Sequence, residues 1–304
     1  MINKPMPLYP GAKVALLSAS GPVEETRMAA AVESVRAIGL QPVVFASCNR
    51  THNYLAGSDF ARAEDLQQAF EDPSIDGILC VQGDYGAQRI LERLNWQQIA
   101  QNPKFFGGYG DVTVLHIQLN QKCYMASWHI PMPATEWCND MDIFTLASLR
   151  RALFSGAPGP LYNPEEAALR CIAKGTARGQ LIGGNLSSIV STLGTPWEID
   201  TRHKILFLED PQTQPYIVDR MLLQLKQAGK LSDCAGILLG QFVACNEDES
   251  LYCSTEELFK ELLLDECKPV IAGLACGHTM PTLSLPMGLN VLMDATSTTI
   301  TILE

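Results

Sequence analysis

The chain has 304 residues, 47% of them apolar and 18% charged, which is enough to bury sizeable cores in more than one domain and excludes disorder. Its 33 Asp and Glu outnumber 22 Lys and Arg, for a formal charge of −11. That balance excludes nucleic acid and anionic membrane as partners, and leaves a small molecule or a peptide. The opening residues, Met1-Ile2-Asn3-Lys4-Pro5-Met6-Pro7, lack the apolar core of a signal peptide, and no apolar run spans a bilayer, so a cytoplasmic protein is expected. Ten cysteines form no Cys-x-x-Cys pair, and several lie in apolar runs (Cys80, Cys171, Cys276); they read as reduced, buried thiols, with neither metal nor cofactor expected.

Residues 13–19 form a short buried-strand run closed by Ser20-Gly21-Pro22, and residues 24–38 carry apolar side chains at helical spacing. The unit recurs, with strands at 42–46 and 75–81, helices at 60–70 and 87–94, a strand-turn-helix through 105–120 and a strand at 123–128. Strands of continuous apolar character alternating with helices predict a parallel sheet covered on both faces. Ligands bind beyond the C-terminal strand ends of such sheets, where two glycine-rich turns lie: Gly83-Asp84-Tyr85-Gly86 and Gly107-Gly108-Tyr109-Gly110.

After a helix at 143–154 the breakers Gly156, Pro158, Gly159, Pro160 and Pro164 suggest a linker. The expected organisation is an N-terminal α/β domain over 1–155, a linker over 156–167 and a second, smaller α/β domain over 168–304. Its strands are expected at 169–173, 179–182, 205–208, 236–239, 269–272, 290–293 and 298–303, and its helices at 187–193, 216–228 and 255–264.

In Phe105-Phe106-Gly107-Gly108-Tyr109-Gly110-Asp111-Val112-Thr113, an apolar run breaks at glycines and resumes with helical spacing. Such an elbow exposes one residue above a sheet and aims the first free N–H groups of a helix at what lies there, an arrangement suited to an oxyanion. A nucleophile normally occupies the tip. Here the tip is Gly110, which has no side chain, and on spacing alone it also reads as a plain turn glycine. In the second half, Glu209 ends an apolar strand and His278 follows Gly277; a carboxylate orienting an imidazole is one reading, a solvated strand end and a turn histidine the other.

Gly108-Tyr109-Gly110-Asp111-Val112-Thr113 opening a helix, Gly183-Gly184-Asn185-Leu186, Leu208-Glu209-Asp210 followed by Tyr216 and Asp219-Arg220-Met221-Leu222, and Gly277-His278 with Leu285-Pro286-Met287-Gly288 closely resemble the serine LD-carboxypeptidases. Trp128-His129-Ile130-Pro131-Met132 also looks like a segment of that family. The resemblance runs from about Val14 to the C-terminus. It implies a cytoplasmic, homodimeric hydrolase of peptidoglycan recycling that removes the terminal D-alanine of muropeptide tetrapeptides, in a family that includes the microcin C self-immunity peptidases. It places the nucleophile at Gly110, with Glu209 and His278 completing a triad from the second domain. The oxyanion and substrate-binding groups fall on Asp111, Gly83, Asp84 and Tyr85.

Two departures stand out. Gly110 replaces the family's serine, and Gln82-Gly83-Asp84-Tyr85-Gly86 stands where the family has Arg-Gly-Gly-Tyr-Gly. Backbone N–H groups survive such changes, whereas a carboxylate at Asp84 opposes a developing oxyanion unless it faces solvent. Tyr109 and Thr113 are poorly placed to substitute for a serine, since neighbours of a turn tip project elsewhere. A water activated by His278 would forgo covalent catalysis and turn over slowly. The sequence is therefore expected to be catalytically impaired, whether by natural divergence or by a deliberate substitution. Rival readings are a muropeptide-binding protein and a self-immunity peptidase for peptidyl nucleotides, the latter needing an aromatic such as Trp137 or Trp197 to stack a base.

Overall fold

A computed structural model describes residues 2–156, 158–211, 214–243 and 254–303; Ala157, within the expected linker, lies outside the described residues. The chain is an α/β protein with two sheets, divided into two compact units: Met1–Ala157 with Ser284–Gly288, and Pro158–Leu283 with Leu289–Glu304.

In the first unit, strands β1 (Lys13–Leu17), β2 (Gln41–Val44), β3 (Gly77–Cys80), β4 (Phe105–Gly108) and β5 (Ser127–His129) alternate with helices α1 (Glu25–Ile38), α2 (Asp59–Glu71), α3 (Trp96–Gln101), α4 (Thr113–Cys123) and α5 (Ile143–Ser155). The second unit holds β6 (Gly159–Leu161), β7 (Arg170–Ala173), β8 (Thr176–Asn185), α6 (Leu186–Ser191), β9 (Ile205–Pro211), α7 (Pro215–Gln227), α8 (Lys230–Asp233), β10 (Gly236–Val243), α9 (Thr255–Leu263) and β11 (Val270–Ala272). The chain then places β12 (Leu285–Met287) in the first sheet and returns to the second for β13 (Asn290–Asp294) and β14 (Thr299–Ile302).

The first sheet has the order β12-β5-β4-β3-β1-β2 and is parallel except for β12, which pairs antiparallel with β5 through Pro286 opposite Trp128. All four residues of β3 and of β4 are buried, as expected for strands covered on both faces. The second sheet runs β6-β14-β13-β8-β9-β10-β11-β7, parallel from β8 to β11 and antiparallel outside that core.

Differences from the sequence expectation have local causes. Proline lacks an N–H for the ladder and favours edge strands, strand ends and bulges. Pro42, Pro160 and Pro286 sit in β2, β6 and β12, each at the edge of its sheet. Breakers at 158–160 therefore form an edge strand rather than a plain connection, and Leu285-Pro286-Met287 is a strand of the first sheet. The strand expected at 123–128 is shorter because α4 continues to Cys123 and stops at Tyr124, which adopts the left-handed conformation (φ 48°). Residues 87–93 form a 3-10 helix, not an α-helix.

Among the described residues no helix is long and apolar enough to cross a membrane, and no cluster of His, Cys, Asp and Glu has the form of a metal site.

Candidate active site

The elbow is built from the inside outward. Phe105 stacks on Trp128 (ring centroids 4.4 Å apart) and Phe106 meets the edge of the His116 ring (5.4 Å), which fixes β4 against the helix that follows it. His116 is fully buried, and desolvation lowers its pKa to about 4, so its imidazole is neutral near pH 7. Its Nε2 lies 2.8 Å from the Gly108 carbonyl, which only accepts, so Nε2 carries the proton and Nδ1 accepts from the Ser127 hydroxyl at 2.8 Å. The last carbonyl of β4 is thus held in place one step before the turn.

The turn then reverses sharply. Tyr109 is extended (φ −156°, ψ −169°), and Gly110 is left-handed (φ 65°) as it opens a 3-10 turn, Gly110–Val112, that leads into α4. A left-handed tip joining strand to helix is the backbone of a nucleophile elbow. Tyr109 is buried, its hydroxyl 2.5 Å from Glu136, which also accepts from the Met132 N–H at 2.8 Å. Thr113 is fully buried, so neither hydroxyl takes the place of a side chain at 110.

The second glycine-rich turn lies directly alongside. A Cβ added to Gly83 would stand 3.5 Å from the Tyr109 carbonyl and 3.8 Å from the Asp111 nitrogen, so glycine here keeps the space before that N–H open. Gly21 in the loop after β1 donates its N–H to the Gly83 carbonyl at 3.0 Å. Asp111 turns its side chain inward: one carboxylate oxygen accepts from the Ser20 hydroxyl (2.6 Å) and from the Ala87 N–H (2.7 Å). Burial pushes its pKa up, and those donors pull it back. The Asp111 carboxylate thus ties three loops together.

Arg62, missed in the sequence, does the same work from α2. It is fully buried and donates to the carbonyls of Ala19 and, at 2.8 Å, Gly86, and pairs with Asp59 at 2.6 Å. Its signal was an arginine on the mostly apolar face of a helix, three residues after Asp59, which normally marks a buried charge with partners. Desolvation lowers its pKa, and Asp59 opposes that.

Asp84 and Tyr85 are exposed at the rim. Asp84 adopts φ 72°, and its carboxylate accepts from the Gln82 amide, which also donates to the Pro22 carbonyl at 3.0 Å. The Asp84 side chain lies over Gly21, where an added Cβ would come within 2.9 Å of its Cβ. Tyr85 pairs with exposed Tyr54, ring centroids 6.0 Å apart. Trp137 is buried and donates its indole N–H to the Pro131 carbonyl at 2.8 Å, so it has no face for a nucleobase, whereas Trp197 is half-buried.

In the second unit the pair singled out by sequence is formed. Glu209, fully buried near the end of β9, lies 2.7 Å from Nδ1 of half-buried His278. Burial pushes the Glu209 carboxyl up from its ordinary value, and the hydrogen bond from His278 pulls it down. A carboxylate on Nδ1 fixes the imidazole tautomer and puts its basicity on Nε2, as general-base chemistry requires.

Gln241, also missed, organises the histidine loop. Its backbone N–H donates to the Cys276 carbonyl (2.9 Å), its side-chain oxygen accepts from the Thr279 N–H (3.2 Å), and its amide donates to the Pro281 carbonyl (3.3 Å). Gly277 lets the loop pass close to the carboxylate, since an added Cβ would lie 3.2 Å from Glu209 Oε2.

The chain matches two family models: the LD-carboxypeptidase N-terminal domain over residues 14–130 and the LD-carboxypeptidase C-terminal domain over residues 178–293. It is 36% identical over 300 residues to the probable murein peptide carboxypeptidase of Bacillus subtilis (strain 168), covering 97% of this chain and 93% of that one. Among solved structures it is similar to the MccF-like protein from Bacillus anthracis str. Ames (TM-score 0.90, 25% identity, 99% of each chain). It is also similar to the muramoyltetrapeptide carboxypeptidase from Oxalobacter formigenes (TM-score 0.83, 26% identity, 95% of this chain and 97% of that one). An elbow, a buried carboxylate on a histidine, matches to both family domains and a relative aligned over 97% of the chain lead to one conclusion: this protein belongs to the LD-carboxypeptidase family.

Proposed function

We propose that the chain binds murein peptides ending in D-alanine and that Gly110 stands at the position of the family's serine nucleophile. The observation that carries this reading is an elbow whose backbone is complete while its tip has no side chain: Gly110 is left-handed at the strand-to-helix turn. In a serine-bearing form, His278 held by Glu209 would take the hydroxyl proton as the oxygen attacks the LD-peptide carbonyl. The Asp111 N–H, with the Gly83 turn beside it, would donate a hydrogen bond to the resulting oxyanion. Collapse would then pass the proton to the leaving D-alanine amine, and water would release the acyl group from serine.

As it stands the chain forms no acyl-enzyme, so its turnover is expected near background and its binding intact. Binding rests on the turns and the backbone, which a missing hydroxymethyl leaves unchanged. A homodimer in the reducing cytoplasm is the setting proposed with it. Calorimetric titration with an N-acylated tetrapeptide ending in D-alanine, and with its L-alanine epimer, tests the reading. Preference for the D-epimer supports it, and equal or absent binding of the two overturns it. A self-immunity role would instead give tighter binding to an acyl-sulfamoyl nucleoside than to the tetrapeptide.

A further inference from the structure

The second unit holds a cavity of about 330 Å³ at the C-terminal ends of β10 and β11, bordered by α9, and neither Glu209 nor His278 lines it. That volume lies at the small end of the range for ligand pockets. Its apolar wall is the edge-to-face ring pair of Phe242 and Phe259, centroids 5.0 Å apart, with buried Leu274. Its charge is the guanidinium of half-exposed Arg170, on the edge strand β7. Among the described residues the ion pair of Arg170 runs from Nε to Glu256 (3.0 Å), while Nη1 lies against Gly273, where an added Cβ would stand 3.2 Å away. The far side of the guanidinium therefore keeps donors for another acceptor. Apolar rings with such a guanidinium complement a small carboxylate that carries an apolar body. Glu256 offsets part of the charge, which suits a monoanion better than a phosphate dianion.

We infer that this cavity is a second ligand site, for a small carboxylate with an apolar body, whose occupancy tightens the loop that carries His278. The inference does not depend on what the elbow binds. The link to the histidine follows from a shared wall. Gln241 lines the cavity, and its side chain also holds the Thr279 N–H and the Pro281 carbonyl. Gly240 beside it, at an irregularity in the pairing of β10 with β9, packs so closely that an added Cβ would stand 3.1 Å from the Glu209 Cβ. Gly273, Leu274 and Ala275 line the cavity and lead directly into Cys276-Gly277-His278. A ligand seated there packs against the segments that position the imidazole, so opening of the loop must work against its binding.

The test uses N-acetyl-L-phenylalanine and its uncharged amide as probes. Each is titrated calorimetrically into the parent protein and into Arg170→Gln, and amide exchange of the parent is followed with and without the carboxylate. The parent is expected to bind the carboxylate about three- to fivefold more tightly than the amide, the range of a partly exposed ion pair. That preference should vanish in Arg170→Gln. The comparison of the two probes in the parent does not depend on how the variant folds. With the carboxylate at ten times its Kd, exchange at Thr279 should slow about tenfold, because the opened loop no longer holds the ligand. Equal binding of the two probes by the parent, no binding of either, or a preference that survives Arg170→Gln overturns the site. Binding that leaves exchange at Thr279 unchanged overturns its link to His278.

Discussion

Gly110 adopts φ 65°, a conformation that glycine takes freely and a residue with a Cβ does not. Gly110→Ser is therefore expected to lower stability by about 1 kcal/mol, measured by chemical denaturation; a serine variant as stable as the parent would show that the tip is unstrained. Behind the tip, His116 offers a test of the turn's foundation. Its pKa is about 4 in the folded chain against about 6.5 when unfolded, so the folded state resists a proton that the unfolded state accepts. The stability it contributes is present above pH 6.5 and is lost as pH falls towards 4, about 3 kcal/mol over that window. Asp111 and Glu209, with carboxyls raised by burial, act in the opposite sense, so a direct reading on His116 is preferable. An NMR titration of its imidazole should show a midpoint near 4; an ordinary midpoint near 6.5 would mean that the ring is solvated and the Gly108 carbonyl is not held as described. At this scale the turn at Gly110 was legible because it breaks an apolar run, whereas Glu209 and His278 stood out through the family resemblance and not through their spacing. The sequence concealed Arg62, His116 and Gln241, most of whose partners are backbone groups and a hydroxyl that only the fold brings near, although Asp59 lies three residues before Arg62.

Among the elements, the loop from Cys276 to Pro281 is a short irregular segment fixed chiefly by one side chain from β10. Gln241→Met keeps the approximate shape but removes the acceptor of the Thr279 N–H and the donor to the Pro281 carbonyl. The loop should open more often, and amide exchange at Thr279 should quicken about tenfold, the equivalent of about 1.4 kcal/mol. Unchanged exchange would show that Glu209 and Gly277 hold the loop unaided. The parallel strands were legible because β1, β3 and β9 carry the apolar runs 14–17, 77–80 and 205–208, the mark of burial on both faces. Of the edge strands, β2 and β7 were expected but β6 and β12 were not: these two are three residues long and contain proline, which in so short a run reads as a breaker. Tyr124 shows the same limit, since nothing local announces that a tyrosine rather than a glycine will cap α4 in the left-handed conformation.

For the whole molecule, the chain does not fall into two consecutive blocks. It leaves the first unit after Ala157, returns to it for Ser284–Gly288 and ends in the second. Strand periodicity and length predict two domains but are blind to such a return, because the five residues that cross back have the composition of any short edge strand. This topology makes the last part of the chain necessary to the first sheet, whose β5 is covered on its outer edge by β12. The central proposal is that Gly110 stands at the position of the family's nucleophile, with His278 and Glu209 as its partners. It is tested most directly by D-alanine release from a muropeptide tetrapeptide by the parent, by Gly110→Ser, and by Gly110→Ser combined with His278→Ala. The account predicts release near background for the parent, release clearly above it for the serine variant, and a return to background when His278 is removed. A parent as fast as Gly110→Ser, or a serine variant indifferent to the loss of His278, would contradict it.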